Sequence, residues 1–373
     1  LGFNAGALVT TGINNTLIGG LAGDALTDAD RNVAIGKTAL GADTLGSKAV
    51  AVGYHALENQ NFTTATDSHN TAVGYVAGNQ ISTGRYNTVL GSLAGDAITD
   101  GDWNVALGVN ALTTDTLGST SVAIGSNSLQ QQNFTTATDA YNVAVGYNAG
   151  VAVTTGIKNT LLGARSGDAL NDADSNVAIG ESALSSDTLG SRSVAIGDSA
   201  LYAQNFTTAT NSYNTAIGYA AGNAVTTGNN NVLIGRQAGL ALVGGIGNTF
   251  VGPGSAGTCT SGSYNTVFGG FNGNQEGVDI RTVSNKVFLS NGQGQIVFTG
   301  TGSATDHRGV EIDGAQFLPS ADNVLGLGHP SYRWTTVYAT TGTINTSDEN
   351  LKQDIANLDA TEKLVAVRIK GLI

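Results

Sequence analysis

The chain has 373 residues and a formal net charge of −12 at pH 7, and only 12% of its residues are charged. This acidic balance argues against binding of DNA or RNA through phosphate neutralisation. Apolar residues make up 40% of the chain, but no run is long enough to span a membrane, and the scattered histidines form no zinc pattern. We therefore expect no nucleic-acid partner, no membrane insertion, no metal and no cofactor.

A short phrase, Asn-(Thr or Val)-apolar-apolar-Gly, recurs fifteen times between Asn15 and Gly269, with Asn at twelve of its fifteen first positions. We call its last residue the strand glycine. The strand glycines are Gly19, Gly36, Gly53, Gly74, Gly91, Gly108, Gly125, Gly146, Gly163, Gly180, Gly197, Gly218, Gly235, Gly252 and Gly269. Successive steps of 17, 17, 21 and 17 recur in this order and define a block of four steps. A fixed short period is typical of a solenoid, in which each turn, here called a rung, stacks on its neighbours.

Each phrase predicts a short β-strand. Alternation along a strand puts Val33 and Ile35 on one face and Ala34 on the other. Glycine ends the strand, and Asn or Asp residues form the turns that follow. We therefore expect an all-β, parallel β-roll or β-solenoid with rungs of 17 and 21 residues. Its fifteen rungs would span roughly 70 Å.

The residue two positions before the strand glycine predicts self-association. It is Ala nine times and never polar. A solvent-facing strand position would include polar residues, so we interpret this Ala row as packed against another molecule, with Val33 and Ile35 inside the roll. A parallel homotrimer with Ala34, Ala106 and Ala178 near its axis is the expected assembly. The alternative is a monomeric β-helix in which Ala fills a tight corner.

The array resembles the head domains of trimeric autotransporter adhesins, which are built on phrases such as Asn-Ser-Val-Ala-Ile-Gly. Residues 32–36, 176–180 and 193–197 carry this resemblance, which covers residues 13 to about 270. It implies parallel β-rolls that trimerise along their length. The two periods found here, 17 and 21, are longer than the usual period of that family.

After Gly269 we expect the period to break and a small β-rich region to follow. Residues 285–300 predict a β-hairpin around Asn291 and Gly292. The segment after Ser347 predicts a short C-terminal helix, because Asp359 and Glu362 have the spacing of a capping box. We expect three parts: a shaft over residues 1–270, a β-rich region over 271–345, and the start of a further domain over 346–373.

Residues 317–373 resemble the junction between a phage tail-fibre shaft and a self-cleaving intramolecular chaperone of the endosialidase type. The Arg333-Trp334 segment followed by Ser-Asp-x-x-Leu-Lys from Ser347 to Lys352 carries this resemblance. It implies that Ser347 is a nucleophile, that Lys352 is its base, and that the Thr346–Ser347 bond is cut. A lysine base must be neutral, which requires burial. The alternative is that Ser347 caps a helix and Lys352 is a solvated surface residue.

Three further patterns are ambiguous. Asp28 and Asp30, repeated at Asp100 and Asp172, have the spacing of the start of a calcium loop, but turn chemistry accounts for them equally well. Phe62, Phe134 and Phe206 either form an exposed receptor-contacting row or pack their own four-residue insertions onto the roll. The tyrosines that follow strand glycines are candidates for a glycan-binding surface; they are Tyr54, Tyr75, Tyr147 and Tyr219.

The leading functional hypothesis is a structural and adhesive one. The chain would be a trimeric tail-fibre shaft on a phage virion, in contact with other tail proteins and with a host cell-surface glycan or protein. The first alternative is the head of a bacterial surface adhesin, located on the cell surface. The second is a tailspike that cleaves glycans, which would need paired carboxylates.

Overall fold

The structure is a computed structural model and describes residues 2–275, 277–301 and 309–311. These residues form a parallel β-solenoid of about sixteen turns and contain no helix. The expected all-β solenoid is confirmed. Fifteen three-residue strands end immediately before the strand glycines and pair in parallel in chain order. These stacked strands are Thr16–Ile18, Val33–Ile35, Val50–Val52, Thr71–Val73, Thr88–Leu90, Val105–Leu107, Val122–Ile124, Val143–Val145, Thr160–Leu162, Val177–Ile179, Val194–Ile196, Thr215–Ile217, Val232–Ile234, Thr249–Val251 and Thr266–Phe268.

Shorter strands form at the turns of the longer rungs and after the array. Three two-residue pairs tie each long rung to its predecessor: Gly46–Ser47 with Thr66–Asp67, Gly118–Ser119 with Thr138–Asp139, and Gly190–Ser191 with Thr210–Asn211. The remaining strands are Asn274–Gln275, Val278–Asp279, Lys286–Ser290, Ile296–Thr301 and Gly309–Glu311.

The strand glycines are required by both conformation and space. Gly36 has a φ of 138°, in a region that side chains rarely permit. A Cβ atom there would lie 2.2 Å from the carbonyl oxygen of Gly53 in the next rung. Because the neighbouring backbone cannot move away, the spacing of the strand glycines sets the register of the whole stack.

The inward and outward faces of the strands are reversed relative to the prediction. Ala34, Ala106 and Ala178 are fully buried inside a single chain, whereas Val33 and Ile35 point outward and are partly exposed. The interior is narrow, and its opposite wall supplies large side chains such as Leu26 and Leu40, so the strand itself has room only for Ala. The placement of the Ala row at a trimer axis was therefore wrong.

Buried asparagines four residues before the strand glycines form a hydrogen-bonded ladder. The Nδ2 of Asn32 donates to the carbonyl of Gly46 at 2.8 Å, and its Oδ1 accepts from the backbone N–H of Ala49 at 2.8 Å. Each asparagine thus satisfies two buried backbone groups of the next rung. The repeated Asn is explained by this structural role.

A buried acid–amide pair interrupts the apolar core once in each block. The residue seven positions after the strand glycine is apolar in two of the four rungs of a block. It is Asp in one of the other two rungs and Gln in the rung that follows. The Nε2 of Gln60 donates to Oδ2 of Asp43 at 2.6 Å, and Oε1 of Gln60 accepts from Nδ2 of Asn70 at 2.8 Å. Burial raises the pKa of the Asp43 carboxyl, while hydrogen bonds from Gln60, Phe62 and Gly46 oppose this shift. Equivalent pairs form between Asp115 and Gln132 and between Asp187 and Gln204.

The period continues one rung beyond Gly269. Lys286–Ser290 pairs in parallel with the last regular strand, and Oδ1 of Asn265 accepts from the backbone N–H of Lys286 at 2.9 Å. Ser290 takes the position of a strand glycine one long step after Gly269, so the expectation that the period breaks after Gly269 was wrong by one rung. The same strand pairs antiparallel with Ile296–Thr301, which confirms the predicted hairpin. The predicted C-terminal helix lies outside the described residues, and the three-part division stays a prediction.

Candidate functional site on the outward face of the strand stack

The two residues predicted to carry chemistry, Ser347 and Lys352, lie outside the described residues, as does the Thr346–Ser347 bond. Within residues 2–275, 277–301 and 309–311, no three or more His, Cys, Asp or Glu side chains come together in a way that could hold a metal ion. No helix among these residues has the length and hydropathy needed to cross a membrane.

The repeated Asp-x-Asp segments connect neighbouring rungs. Oδ1 of Asp30 accepts from the backbone N–H of Ile13 at 2.8 Å, and Asp28 accepts a hydrogen bond from the hydroxyl of Thr11. In the next block, Asp102 accepts from the N–H of Arg85 at 2.7 Å and Asp100 accepts from Thr83 at 2.5 Å. The turn interpretation of these acids is supported by these contacts, which tie each Asp-x-Asp rung to the preceding rung.

The phenylalanines of the long rungs are not an exposed row. Phe62, Phe134 and Phe206 are each only 5% exposed. The backbone N–H of Phe62 donates to Oδ1 of Asp43, and its carbonyl accepts from the hydroxyl of Thr44. The alternative that each phenylalanine packs its own insertion onto the solenoid is confirmed.

An extended apolar surface is formed by the outward face, which we define as the first and third residues of the stacked strands. Its first positions are Thr or Val and its third positions are Ile, Val, Leu or Phe in all fifteen strands that precede a strand glycine. Ile18, Leu90 and Leu162 each expose more than two fifths of their surface. With a strand spacing of about 4.8 Å and a width of about 10 Å, sixteen strands present roughly 750 Å² of continuous, uncharged surface. Monomeric proteins rarely expose an apolar patch larger than a few hundred Å².

Two columns that include many polar and aromatic residues border the outward face, one on each side. One border is the edge column, which we define as the residues five positions before the strand glycines; the other consists of the residues directly after these glycines. In the edge column His69, Tyr86 and Trp103 form a stack, with ring centroids 5.3 and 3.9 Å apart. On the other border Tyr54 and Tyr75 stack at 5.4 Å.

The predicted tyrosine row is exposed, but the edge column was missed. Tyr75, Tyr147 and Tyr219 each expose more than half of their surface. Edge-column residues have a left-handed backbone, as in Trp103 with a φ of 62°, which sequence reasoning associates with Gly or Asn rather than with aromatic residues. They stand two positions before the first strand residue and four before the third. This period of two was the signal that could have placed them on the outward face.

Comparison with known proteins gives one family match. Residues 286–346 match the family model described as the catalytic domain of bacteriophage endosialidase. No curated protein and no solved structure matches the chain. The matched segment begins at the sixteenth strand and ends one residue before Ser347. Together with the β-solenoid fold, this match supports a structural role in a phage tail spike or fibre, and therefore a location in the virion tail.

Proposed function

We propose that the chain is the shaft of a homotrimeric tail fibre in which three parallel copies pack their outward faces against one another. The observation that carries this proposal is the continuous, uncharged outward face, with Thr or Val at the first strand positions and Ile, Val, Leu or Phe at the third. Its roughly 750 Å² per chain is close to the roughly 800 Å² that each partner contributes to a stable interface of standard size. The absence of charged residues at the strand positions of this face in the fifteen regular strands suits the centre of such an interface.

The test is the mass of the assembly in solution. Light scattering of the wild-type protein should give three times the chain mass of 37.6 kDa. Leu162→Glu, on the outward face, should reduce that mass while leaving the circular dichroism spectrum unchanged, because it would bring like charges together in the interface. Thr207→Glu, at an exposed position in a long-rung insertion, is the control that should remain trimeric. A wild-type monomer in dilute buffer would refute the assembly.

We further propose that the fibre is matured by cleavage of the Thr346–Ser347 bond, with Ser347 as nucleophile and Lys352 as base. The Ser-Asp-x-x-Leu-Lys segment that directly follows the endosialidase match motivates this step. Assembly would bury Lys352 and favour its neutral form, so that cleavage occurs only after the trimer has formed. In a gene product with the complete chaperone, Ser347→Ala and Lys352→Ala should each assemble and remain uncut by mass spectrometry. An uncut wild-type trimer would contradict the proposal.

In this proposal the shaft joins other tail proteins and also presents a surface to a host glycan or protein. The carboxylates of the Asp-x-Asp turns accept hydrogen bonds that hold neighbouring rungs together. Because cleavage of a glycan needs a pair of carboxyl groups placed at the scissile bond, this use of the acids favours binding of a glycan over its cleavage by these residues. An antibody against the shaft should label phage tails in electron micrographs. Labelling of bacterial cells that carry no phage would instead favour the adhesin head.

A further inference from the structure

The edge column contains a gap between two exposed aromatic rings in the second block. In three successive strands the column reads Trp103, Thr120 and Tyr141. Two strand spacings, roughly 9.5 Å, therefore separate the positions of the two rings. Thr120 is the floor of the gap, because its side chain is short and its hydroxyl donates to the carbonyl of Ser119 at 2.6 Å.

One face of the Trp103 indole is available from this gap. Its other face stacks on Tyr86, with the ring planes within 8° of each other. Tyr86 lies one rung before Trp103, and Thr120 lies one rung after it. The indole face that does not contact Tyr86 therefore points towards Thr120. Among the described residues the aromatic stack ends at Trp103, which remains 57% exposed.

We propose that this gap binds one neutral pyranose ring of a host cell-surface saccharide, sandwiched between Trp103 and Tyr141. This inference rests on the proposed receptor-binding role of the shaft. Each ring contact takes about 3.5–4.0 Å, so the gap has room for one sugar ring and not for two. The C–H groups of a pyranose carry partial positive charge and contact the electron-rich faces of aromatic rings, while its hydroxyls remain at the rim.

The charges around the gap favour a neutral sugar. Asp102 directly precedes Trp103, and the exposed Asp139 accepts a hydrogen bond from the Tyr141 hydroxyl at 3.4 Å. Carboxylates accept hydrogen bonds from sugar hydroxyls and repel acidic sugars. Two cations of the neighbouring rungs lie outside the gap: Arg85 is over Tyr86, and Lys158 occupies the edge column one rung beyond Tyr141.

The corresponding positions of the other blocks offer no such gap. In the first block the three positions are Arg31, Lys48 and His69, and in the third they are Ser175, Arg192 and Tyr213. Arg192 lies over the Tyr213 ring at 5.7 Å and donates to its hydroxyl at 2.8 Å, so one face of this tyrosine is already covered. The third block therefore provides an internal control for the second.

The experiment is a titration of the full chain with defined oligosaccharides, followed by saturation-transfer NMR and tryptophan fluorescence. The neutral probes are the hexamers of maltose-, cellulose- and mannan-type linkage, and the acidic probe is a sialic acid hexamer. At least one neutral probe should bind with a Kd below about 20 mM. Trp103→Ala and Tyr141→Ala should each weaken that binding about tenfold or more, whereas Tyr213→Ala should leave it unchanged.

A second variant guards against misfolding of the alanine variants. Thr120→Trp should extend the aromatic stack, fill the gap and abolish binding while both original rings remain. The site is overturned if no neutral probe binds, if Trp103→Ala or Thr120→Trp binds like the wild type, or if the sialic acid hexamer binds more tightly. A failed titration with an intact trimer overturns the sugar site alone, whereas a monomeric wild type overturns the proposed assembly.

Discussion

Replacing Asn104 by alanine should destabilise the stack locally, because it leaves two buried backbone groups without their partners. The side chain of Asn104 accepts from the backbone N–H of Ser121 at 2.9 Å and donates to the carbonyl of Gly118 at 2.8 Å. Both backbone groups belong to buried residues of the next rung. Each would lose its partner away from water, at a cost of about 1–3 kcal/mol per group.

Hydrogen exchange of the full chain, read by mass spectrometry, measures this effect where it arises. Peptides that contain Ser121 should lose protection in Asn104→Ala, because the Ser121 amide is then free to exchange through local opening. Ser121→Ala is the matched control, since Ala49 naturally occupies the equivalent position in the first block. It removes only the hydrogen bond from Gln132 to the Ser121 hydroxyl and should cost about 1 kcal/mol. Equal protection in the two variants would refute the structural role of the ladder.

Three further predictions follow from the core. Ala106→Arg should unfold the surrounding rungs even in a single chain, because it places an unpaired charge in the interior; a folded monomer with an unchanged circular dichroism spectrum would contradict the inward position of Ala106. Chains with one, two and three four-rung blocks should melt at successively higher temperatures, because each rung contacts only its neighbours, and equal melting temperatures would argue against a stack of this kind. Burial raises the folded pKa of Asp43 above its unfolded value of 3.8, so its contribution to stability is full below pH 3.8 and is lost as pH rises through the folded pKa. Asp43→Asn should therefore lessen the fall in melting temperature above pH 3.8, and an unchanged pH slope would show that this carboxyl does not titrate as inferred.

The glycine period was sufficient to predict the strands, their parallel pairing and their register. The faces could not be predicted from the size of the apolar residues. Large residues such as Ile35 were placed inside by analogy with ordinary cores, but the interior is filled from the opposite wall by Leu26 and Leu40. Asn32 indicates the correct face, because it stands two positions before Ala34 and therefore lies on the same side of the strand. Its side-chain amide finds its hydrogen-bond partners inside the stack.

The candidate site was predictable only in part, for a related reason. The tyrosines after the strand glycines were identified because the glycine marks their position. The stack of His69, Tyr86 and Trp103 depends on which residues follow one another across rungs, and it becomes visible only when the strands are aligned in register. Tyr86 and Trp103 are one whole rung apart in the sequence, although their ring centroids lie only 3.9 Å apart in the structure.

The buried pair of Asp43 and Gln60 also limits how such a rod can change in length. Loss of the rung that carries Gln60 alone would place the buried Asp43 carboxyl beside an apolar residue, with a cost that loss of a rung with an apolar residue at this position would not incur. Rungs with an apolar residue at this position can be gained or lost singly outside the pair, but the Asp rung and the Gln rung must be gained or lost together if every acid is to keep its amide. Viable relatives of this rod should therefore contain the Asp rung and the Gln rung as direct neighbours, or neither of them, whatever the number of apolar rungs between one pair and the next.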